Sequence, residues 1–265
     1  MPLASSGLLE FAIETAREAG ALLRDHFGRT KEVAYKSSTI DLVTNVDVLS
    51  ETLIKERIAA HYPRHAILAE ESGHQAGASE FRWLIDPLDG TTNYAHGYPF
   101  FCVTLALEYR GEIILGVAYD PLREELFVAE RGAGATLNGR PIRVSRTETL
   151  AQGLLATGFP YTIRSQPDES LDYFARFVKT AQAIRRDGSA VLDLCYLACG
   201  RFDGFWELGL KPWDMAAGAL MVEEAGGRVT RFDGSRFRLD EPQILASNGL
   251  IHEEMIAVLT GGRSV

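Results

Sequence analysis

Apolar residues recur at helical spacing at Leu8, Leu9, Ala12, Ala16, Ala19 and Leu23, behind the candidate caps Ser5 and Ser6, and predict an opening helix. The stretch Lys36-Ser37-Ser38-Thr39 is polar and reads as a surface loop. A second helix is expected to start at Asp47 and to carry Val46, Leu49, Leu53, Ile54 and Ile58. Tyr62-Pro63 should stop it, because proline disfavours the helical conformation in the residue before it. Short apolar runs at 66–69 and 82–85 predict strands. Strand-like runs then follow at 102–107, 113–119 and 125–129, separated by Arg110-Gly111 and Asp120-Pro121. Asn138-Gly139 marks a further hairpin, since that pair readily adopts the positive φ angles of a type I′ turn. This region reads as an antiparallel meander.

In the second half a strand is expected at 154–157 and a helix at 171–178. An apolar helix from Ser189 to Cys199 should end at Gly200, and another, 215–225, is closed by Gly226-Gly227. A buried strand at 244–247 and a last helix at 250–259 complete the pattern. There is no repeat, low-complexity tract or linker. Helices and strands mix throughout, so the expected class is α/β (α+β layered), with sheets packed between helix pairs. At 265 residues the chain is long enough for one large domain or two intimately packed parts.

Hydrophobic residues at 46% and charged residues at 24% exclude a disordered, collagen-like or coiled-coil chain. A net charge of -9 argues against a generic binder of nucleic-acid backbones, which works by neutralising phosphates with Lys and Arg. One phosphate can still be bound, because a divalent cation inverts the local sign of the field. Met1-Pro2-Leu3-Ala4-Ser5 lacks a basic segment followed by an apolar run, so no secretory signal is expected. No apolar run approaches the ~18 residues of a membrane span. Cys102, Cys195 and Cys199 are odd in number and lie in apolar surroundings, which reads as reduced thiols in a cytoplasmic protein. His61 and His65 have the spacing of a zinc pair, but Pro63 between them spoils the helix, which disfavours a zinc hydrolase.

The richest stretch is Trp83-Leu84-Ile85-Asp86-Pro87-Leu88-Asp89-Gly90-Thr91-Thr92-Asn93. An apolar strand runs into two aspartates three apart, and Pro87 and Gly90 are expected to force a turn that faces both carboxylates to one point. If Thr91-Thr92-Asn93 opens a short helix, its free amides suit an anion. Carboxylates beside a phosphate would repel it without a cation between them, which implies Mg²⁺, a hard ion that prefers oxygen ligands. Taken singly, each element has an ordinary reading. Asp86-Pro87 is a common turn, Glu70-Glu71-Ser72-Gly73 a solvated turn after a strand, and Asp47 and Asp214 are simple helix caps.

Together, Glu70, Asp86-x-x-Asp89-Gly90-Thr91 and Trp213-Asp214 match in order and approximate spacing the two motifs of the inositol monophosphatase family, which the chain resembles from about Leu8 to about Leu259. The Lys36-Ser37-Ser38 loop and the Asp41-Leu42-Val43-Thr44-x-x-Asp47 segment look like the same family. The resemblance implies an αβαβα sandwich of the sugar-phosphatase type, a single catalytic domain over 1–265 with parts of about 1–150 and about 151–265. It implies metal ligation by Glu70, Asp86, the Leu88 carbonyl, Asp89 and Asp214. It makes Asp47, Glu70 and Thr91 catalytic, Asp47 and Thr91 polarising the attacking water near a further Mg²⁺. The amides of Gly90 and Thr91 would hold the phosphate.

For the alcohol, the resemblance assigns ring hydroxyls to Glu207, a wall of the pocket to Asp187-Gly188-Ser189-Ala190, and contact with both metal and ring to Asp89. A solvated residue after an apolar strand is the ordinary reading of Glu207. Thr92-Asn93 lacks the acidic residue of nucleotide 3′-phosphatases, and Asp187-Gly188-Ser189 lacks the Trp-Gly-Asp of histidinol phosphatases. The expected substrate is therefore myo-inositol monophosphate. Fructose 1,6-bisphosphate is the alternative, since Arg185 and Arg186 could meet a second phosphate. Family resemblance further implies a homodimer, lithium sensitivity and no direct nucleic-acid contact. A different class of function also stays open, that of a partner-binding protein associated with the transcription machinery.

Overall fold

The computed structural model describes residues 6–29, 33–36, 42–164 and 169–261. The candidate cap Ser5, the Ser37-Ser38-Thr39 part of the expected loop and Asp41 lie outside them.

The opening stripe winds into α1 (Ser6–His26), which buries Ala12, Ala16, Ala19 and Leu23. The hairpin β1 (Val33–Tyr35) and β2 (Leu42–Thr44) leads into α2 (Asn45–His61). This helix starts ahead of Asp47, because Thr44 is its N-cap and Asp47, at N3, reaches back to the Thr44 amide. Tyr62 ends it before Pro63, as expected. Leu49, assigned to the apolar stripe, is 45% exposed; Asp47, Ser50 and Glu51 are buried on this helix instead.

Next come β3 (Ala66–Ala69), β4 (Gly73–Gln75), β5 (Phe81–Asp89), α3 (Thr91–Ala95), β6 (Cys102–Tyr109), β7 (Glu112–Asp120), β8 (Glu125–Glu130), β9 (Gly134–Leu137) and β10 (Arg140–Pro141). Their eight strands form one sheet in the order β10-β9-β8-β7-β6-β5-β3-β4, antiparallel except between β3 and β5. Asn138 and Gly139 sit at φ 50° and 75°, the left-handed pair expected of the tight hairpin. The turn expected at Asp86-Pro87 is absent. The strand instead runs on to Asp89, and its pairing with β6 slips between Asp86 and Asp89. Pro87 has no amide for the ladder, and a bulge is where a sheet tolerates that loss.

The remainder is β11 (Leu154–Thr157), α4 (Ser170–Val178), β12 (Ala183–Arg185), α5 (Ala190–Ala198), β13 (Gly204–Leu208), α6 (Pro212–Glu224), β14 (Arg228–Thr230), β15 (Gln243–Ser247) and α7 (His252–Thr260). A five-stranded sheet runs β12-β11-β13-β15-β14.

Period-two alternation then sorts the strands' side chains into layers. Trp83, Ile85 and Leu105 face α1 and α2, whereas Leu84, Cys102 and Ala106 face α5 and α6. The same two helices cover Ala156, Phe205 and Ala246 of the smaller sheet, and Leu155, Trp206 and Leu245 pack outward on Phe177 of α4 and Met255 of α7. The result is αβαβα, the layering the resemblance implied. The eight residues 215–222 of α6 are all buried, as a helix without a polar face must be when sheets lie on both sides. No helix of the described residues is long and apolar enough to cross a membrane.

Candidate active site

A cleft of about 680 Å³ opens where the end of β5, the start of α3, the N-terminal ends of α5 and α6 and the end of β13 meet. Glu70, Asp86, Leu88, Asp89, Gly90, Thr91, Gly188, Ser189, Ala190, Glu207 and Asp214 all line it. Asp47 lies behind Thr91, fully buried.

Each acidic side chain is held by local structure. Asp47 Oδ2 accepts from the amide and hydroxyl of Thr44 at 2.9 and 2.5 Å, and its Oδ1 accepts from the Thr91 hydroxyl at 2.9 Å. The Thr91 hydroxyl also reaches the Leu88 carbonyl at 3.1 Å. Asp86 Oδ1 accepts from the Leu88 amide inside the bulge. Asp89 Oδ2 takes the Ser189 hydroxyl at 2.6 Å and the Val191 amide at 2.8 Å, which seats it at the start of α5. Asp214 is not the N-cap of α6 but its N3 residue, and it accepts from the Lys211 amide at 2.7 Å. The Glu70 amide bonds to Ile85 O beside β5, and its carboxylate meets the Lys36 ammonium at 2.8 Å. Lys36 also reaches Glu71 at 2.6 Å, so this turn is bridged rather than merely solvated.

Gly90 bends the chain from β5 into α3 at φ 103°. A Cβ there would stand 3.0 Å from Phe100 O and 3.1 Å from Phe101 Cβ, so both conformation and space demand glycine. The short helix expected at Thr91 forms. Asn93 turns away from the cleft to donate to Phe100 O and Asp187 O, both at 2.7 Å, and so ties the 187–190 loop to α3.

The electrostatics are those of crowded acids. Burial, then the charges of Glu70, Asp89 and Asp214, push the Asp86 carboxyl well above its ordinary range. Burial first and Glu70 second do the same to Asp214, and burial lifts Asp47. Burial brings Asp89 up to about 6 against the pull of Ser189 and the α5 amides. Burial would lower Lys36, but Glu70 and Glu71 outweigh it and hold the ammonium above its usual value. Among the described residues no three His, Cys, Asp or Glu side chains converge into a ready-made metal cage. The fit to a metal therefore lies in the donor chemistry. Mutually repelling oxygen donors in one wall are stabilised by a hard divalent cation, and among the described residues that line the cleft none is a His or Cys, the Cys102 thiol lying behind Asp89.

At the other end of the cleft, Glu207 is 9% exposed on β13, not solvated, and burial pushes its carboxyl up to about 8. Asp193 lines the same wall at 1% exposure, and its Oδ1 has no hydrogen-bond partner. Arg185 and Arg186 are both exposed; Arg186 lines the cleft, whereas Arg185 does not and donates to Ile184 O. His61 and His65 lie elsewhere; Trp83 Nε1 donates to His65 Nδ1 at 3.1 Å.

Three residues escaped the sequence reading. Glu51 accepts from the amides of Glu71 and Ser72 at 2.8 and 3.0 Å and so fixes the turn that presents Glu70. Its signal was a polar residue one turn after Asp47 on the same helix face. Asp193 is the one charged residue of α5, a visible oddity in an apolar run. Gly158 carried no signal at all.

A profile of the inositol monophosphatase family matches residues 5–261. The chain is 46% identical over 252 residues to an inositol-1-monophosphatase of Synechocystis, covering 95% of this chain and 88% of that one. It is 45% identical over 247 residues to a Pseudomonas aeruginosa protein named Nus factor SuhB, covering 91% of each. The solved structure of an inositol monophosphatase from Anabaena matches with a TM-score of 0.88 and 44% identity, over 98% of both chains.

Proposed function

The chain belongs to the inositol monophosphatase family, and on that premise we propose that it hydrolyses small phosphorylated polyols with Mg²⁺, myo-inositol monophosphate first among them. The observation that carries the reading is one cleft lined by Glu70, Asp86, Asp89 and Asp214 around the Thr91–Asp47 hydrogen bond. Those four carboxylates and the Leu88 carbonyl are the groups that would hold the metal. Mg²⁺ bound by them supplies an acidified water and neutralises phosphate charge.

The chain's own residues do the rest. Asp47 takes the Thr91 hydrogen, which leaves the hydroxyl's lone pairs to accept from a water in the cleft. The proton released by that water moves toward the Thr91–Asp47 pair. Glu70, at the end of the Lys36 bridge, orients the same water. The amides of Gly90 and Thr91, at the start of α3, hold the phosphate in line. The transition state is loose, so positioning and charge stabilisation are most of what is required. Glu207, Gly188 and Ala190 receive the alcohol. Ser189 serves it indirectly by fixing Asp89.

Residues 1–265 are read as one catalytic unit, cytoplasmic and homodimeric, with lithium sensitivity and no direct nucleic-acid contact. Phosphate release from myo-inositol 1-phosphate, fructose 1,6-bisphosphate and p-nitrophenyl phosphate, with Mg²⁺ and with excess chelator, tests it. Turnover undiminished in chelator sinks the metal reading. A preference for the bisphosphate moves the substrate to the one that Arg186 could favour.

The relative named Nus factor SuhB supports a second reading, a partner-binding role in transcription. A pull-down with an Asp89→Asn variant separates it, because partner binding should survive the loss of a metal ligand.

A further inference from the structure

Strands β11 and β13 run parallel, with Thr157 opposite Trp206, so Gly158 stands opposite Glu207 at the next step. The Thr157 hydroxyl donates to Trp206 O at 2.7 Å and clamps the two strands at this level. Trp206 points to the outer layer, where it stacks on Phe177 with ring centroids 3.9 Å apart. Alternation then sends Glu207 to the opposite face and into the cleft.

A Cβ on residue 158 would lie 2.1 Å from Glu207 Oε1 and 2.3 Å from its Cδ and Oε2. The carboxylate fills the volume of the missing methyl group. Gly158 is not among the glycines at positive φ, so the backbone gives no reason for glycine here. No described residue donates a hydrogen bond to the Glu207 carboxylate either. Its place in the wall is therefore set by space, and the space is Gly158.

We propose, resting on the polyol-phosphatase reading, that Gly158 is a specificity-determining position. It acts through Glu207 as a positioning residue, by leaving the pocket in which the hydroxyl-reading carboxylate sits. The group a side chain would strike is the far end of a flexible glutamate, so Gly158→Ala should fold while the carboxylate moves. Burial and the neighbouring Asp89 charge disfavour the ionised form of that carboxylate, and Arg186 on the cleft wall favours it.

The test is Gly158→Ala, alone and with Glu207→Ala, assayed on myo-inositol 1-phosphate and on p-nitrophenyl phosphate. The single variant should lose about 10-fold in kcat/KM on the polyol ester and less than about twofold on the aryl ester, the size of one displaced buried hydrogen bond. With Glu207 already truncated, Gly158→Ala should change neither by more than about twofold, the mark of two residues acting through one interaction. Equal loss on both esters, loss persisting beside Glu207→Ala, or no loss on either would overturn the proposal. A wild-type enzyme without preference for the polyol ester would instead remove the substrate reading. The crystal structure of Gly158→Ala then decides: a carboxylate shifted by more than about 1 Å, as insertion of a methyl into filled space requires, upholds the positioning role. An unmoved one ends it.

Discussion

The two ends of the cleft are built in opposite ways. At the acidic end every carboxylate is tied to the protein: Asp47 by Thr44 and Thr91, Asp86 by the Leu88 amide, Asp89 by Ser189 and Val191, Asp214 by Lys211, and Glu70 by Lys36. At the alcohol end, Glu207 and Asp193 have no hydrogen-bond donor among the described residues, and burial raises both. A buried polar atom without a partner is costly and asks for a ligand or a water to complete it. On the proposed function, the contrast divides the work. Groups that must stay fixed to fractions of an ångström during bond cleavage are pinned in advance. Groups that read a substrate are left with their valences open.

The largest expected effect tests the pinned end. Asp89→Asn keeps an oxygen for both Ser189 and Val191, so the fold at the start of α5 should survive. It removes a charge from the acid set, and kcat/KM should fall about 100- to 1,000-fold on every phosphate ester alike. Steady-state kinetics beside thermal melting separates the two consequences. A loss confined to polyol esters would mean that Asp89 belongs to the alcohol end instead.

The same division explains what the sequence disclosed. Of the pinned acids, Asp86, Asp89 and Asp214 were marked by compact local motifs, two aspartates around Pro87 and Trp213-Asp214 before an all-apolar helix. Asp47 and Glu70 had ordinary readings by themselves and stood out only through the family resemblance. Even so, the chain path through Asp86-Pro87 is a bulge within β5 rather than a turn, because pairing with β6 outweighs the local preference of an Asp-Pro pair. The long helices and the meander followed from periodicity. The three-residue strands β1, β2, β4, β12 and β14 did not, since their pairing is a backbone matter with too few side chains to show a pattern. Gly158 was invisible for another reason. Its significance lies in a neighbour brought close by the parallel register, and nothing in the adjacent residues marks it, whereas Asp193 at least stands out as the one charge of an apolar helix.

Glu207→Ala tests the open end and should produce a smaller, selective effect. The loss in kcat/KM for myo-inositol 1-phosphate should exceed that for p-nitrophenyl phosphate by about 1–3 kcal/mol, the cost of an unmade buried hydrogen bond. Equal losses on both would mean that Glu207 supports the acidic end or the fold. Lithium should act at the pinned end and be milder still. Millimolar Li⁺ should slow turnover several-fold, in a pattern uncompetitive or noncompetitive toward substrate, because a singly charged ion replaces Mg²⁺ incompletely. Full activity well above millimolar Li⁺ would weaken the link between the acid set and the metal.

The smallest effect is a change of selectivity with pH. Burial, more than any charge, raises Glu207 to about 8, with Arg186 opposing and Asp89 adding to the rise. A carboxyl raised in this way is neutral below about pH 8 and ionised above it. Substrate hydroxyls bind an ionised acceptor more strongly than a neutral one. The ratio of kcat/KM for myo-inositol 1-phosphate to that for p-nitrophenyl phosphate should therefore climb as pH rises through about 8, by about threefold to tenfold. Taking the ratio matters, because titrations at the acidic end act on both esters and cancel. Glu207→Gln, which cannot ionise, should give a flat ratio across the same range. A flat ratio in the unaltered protein would show that Glu207 keeps one protonation state throughout. The open end would then read hydroxyls by shape and dipole, without charge.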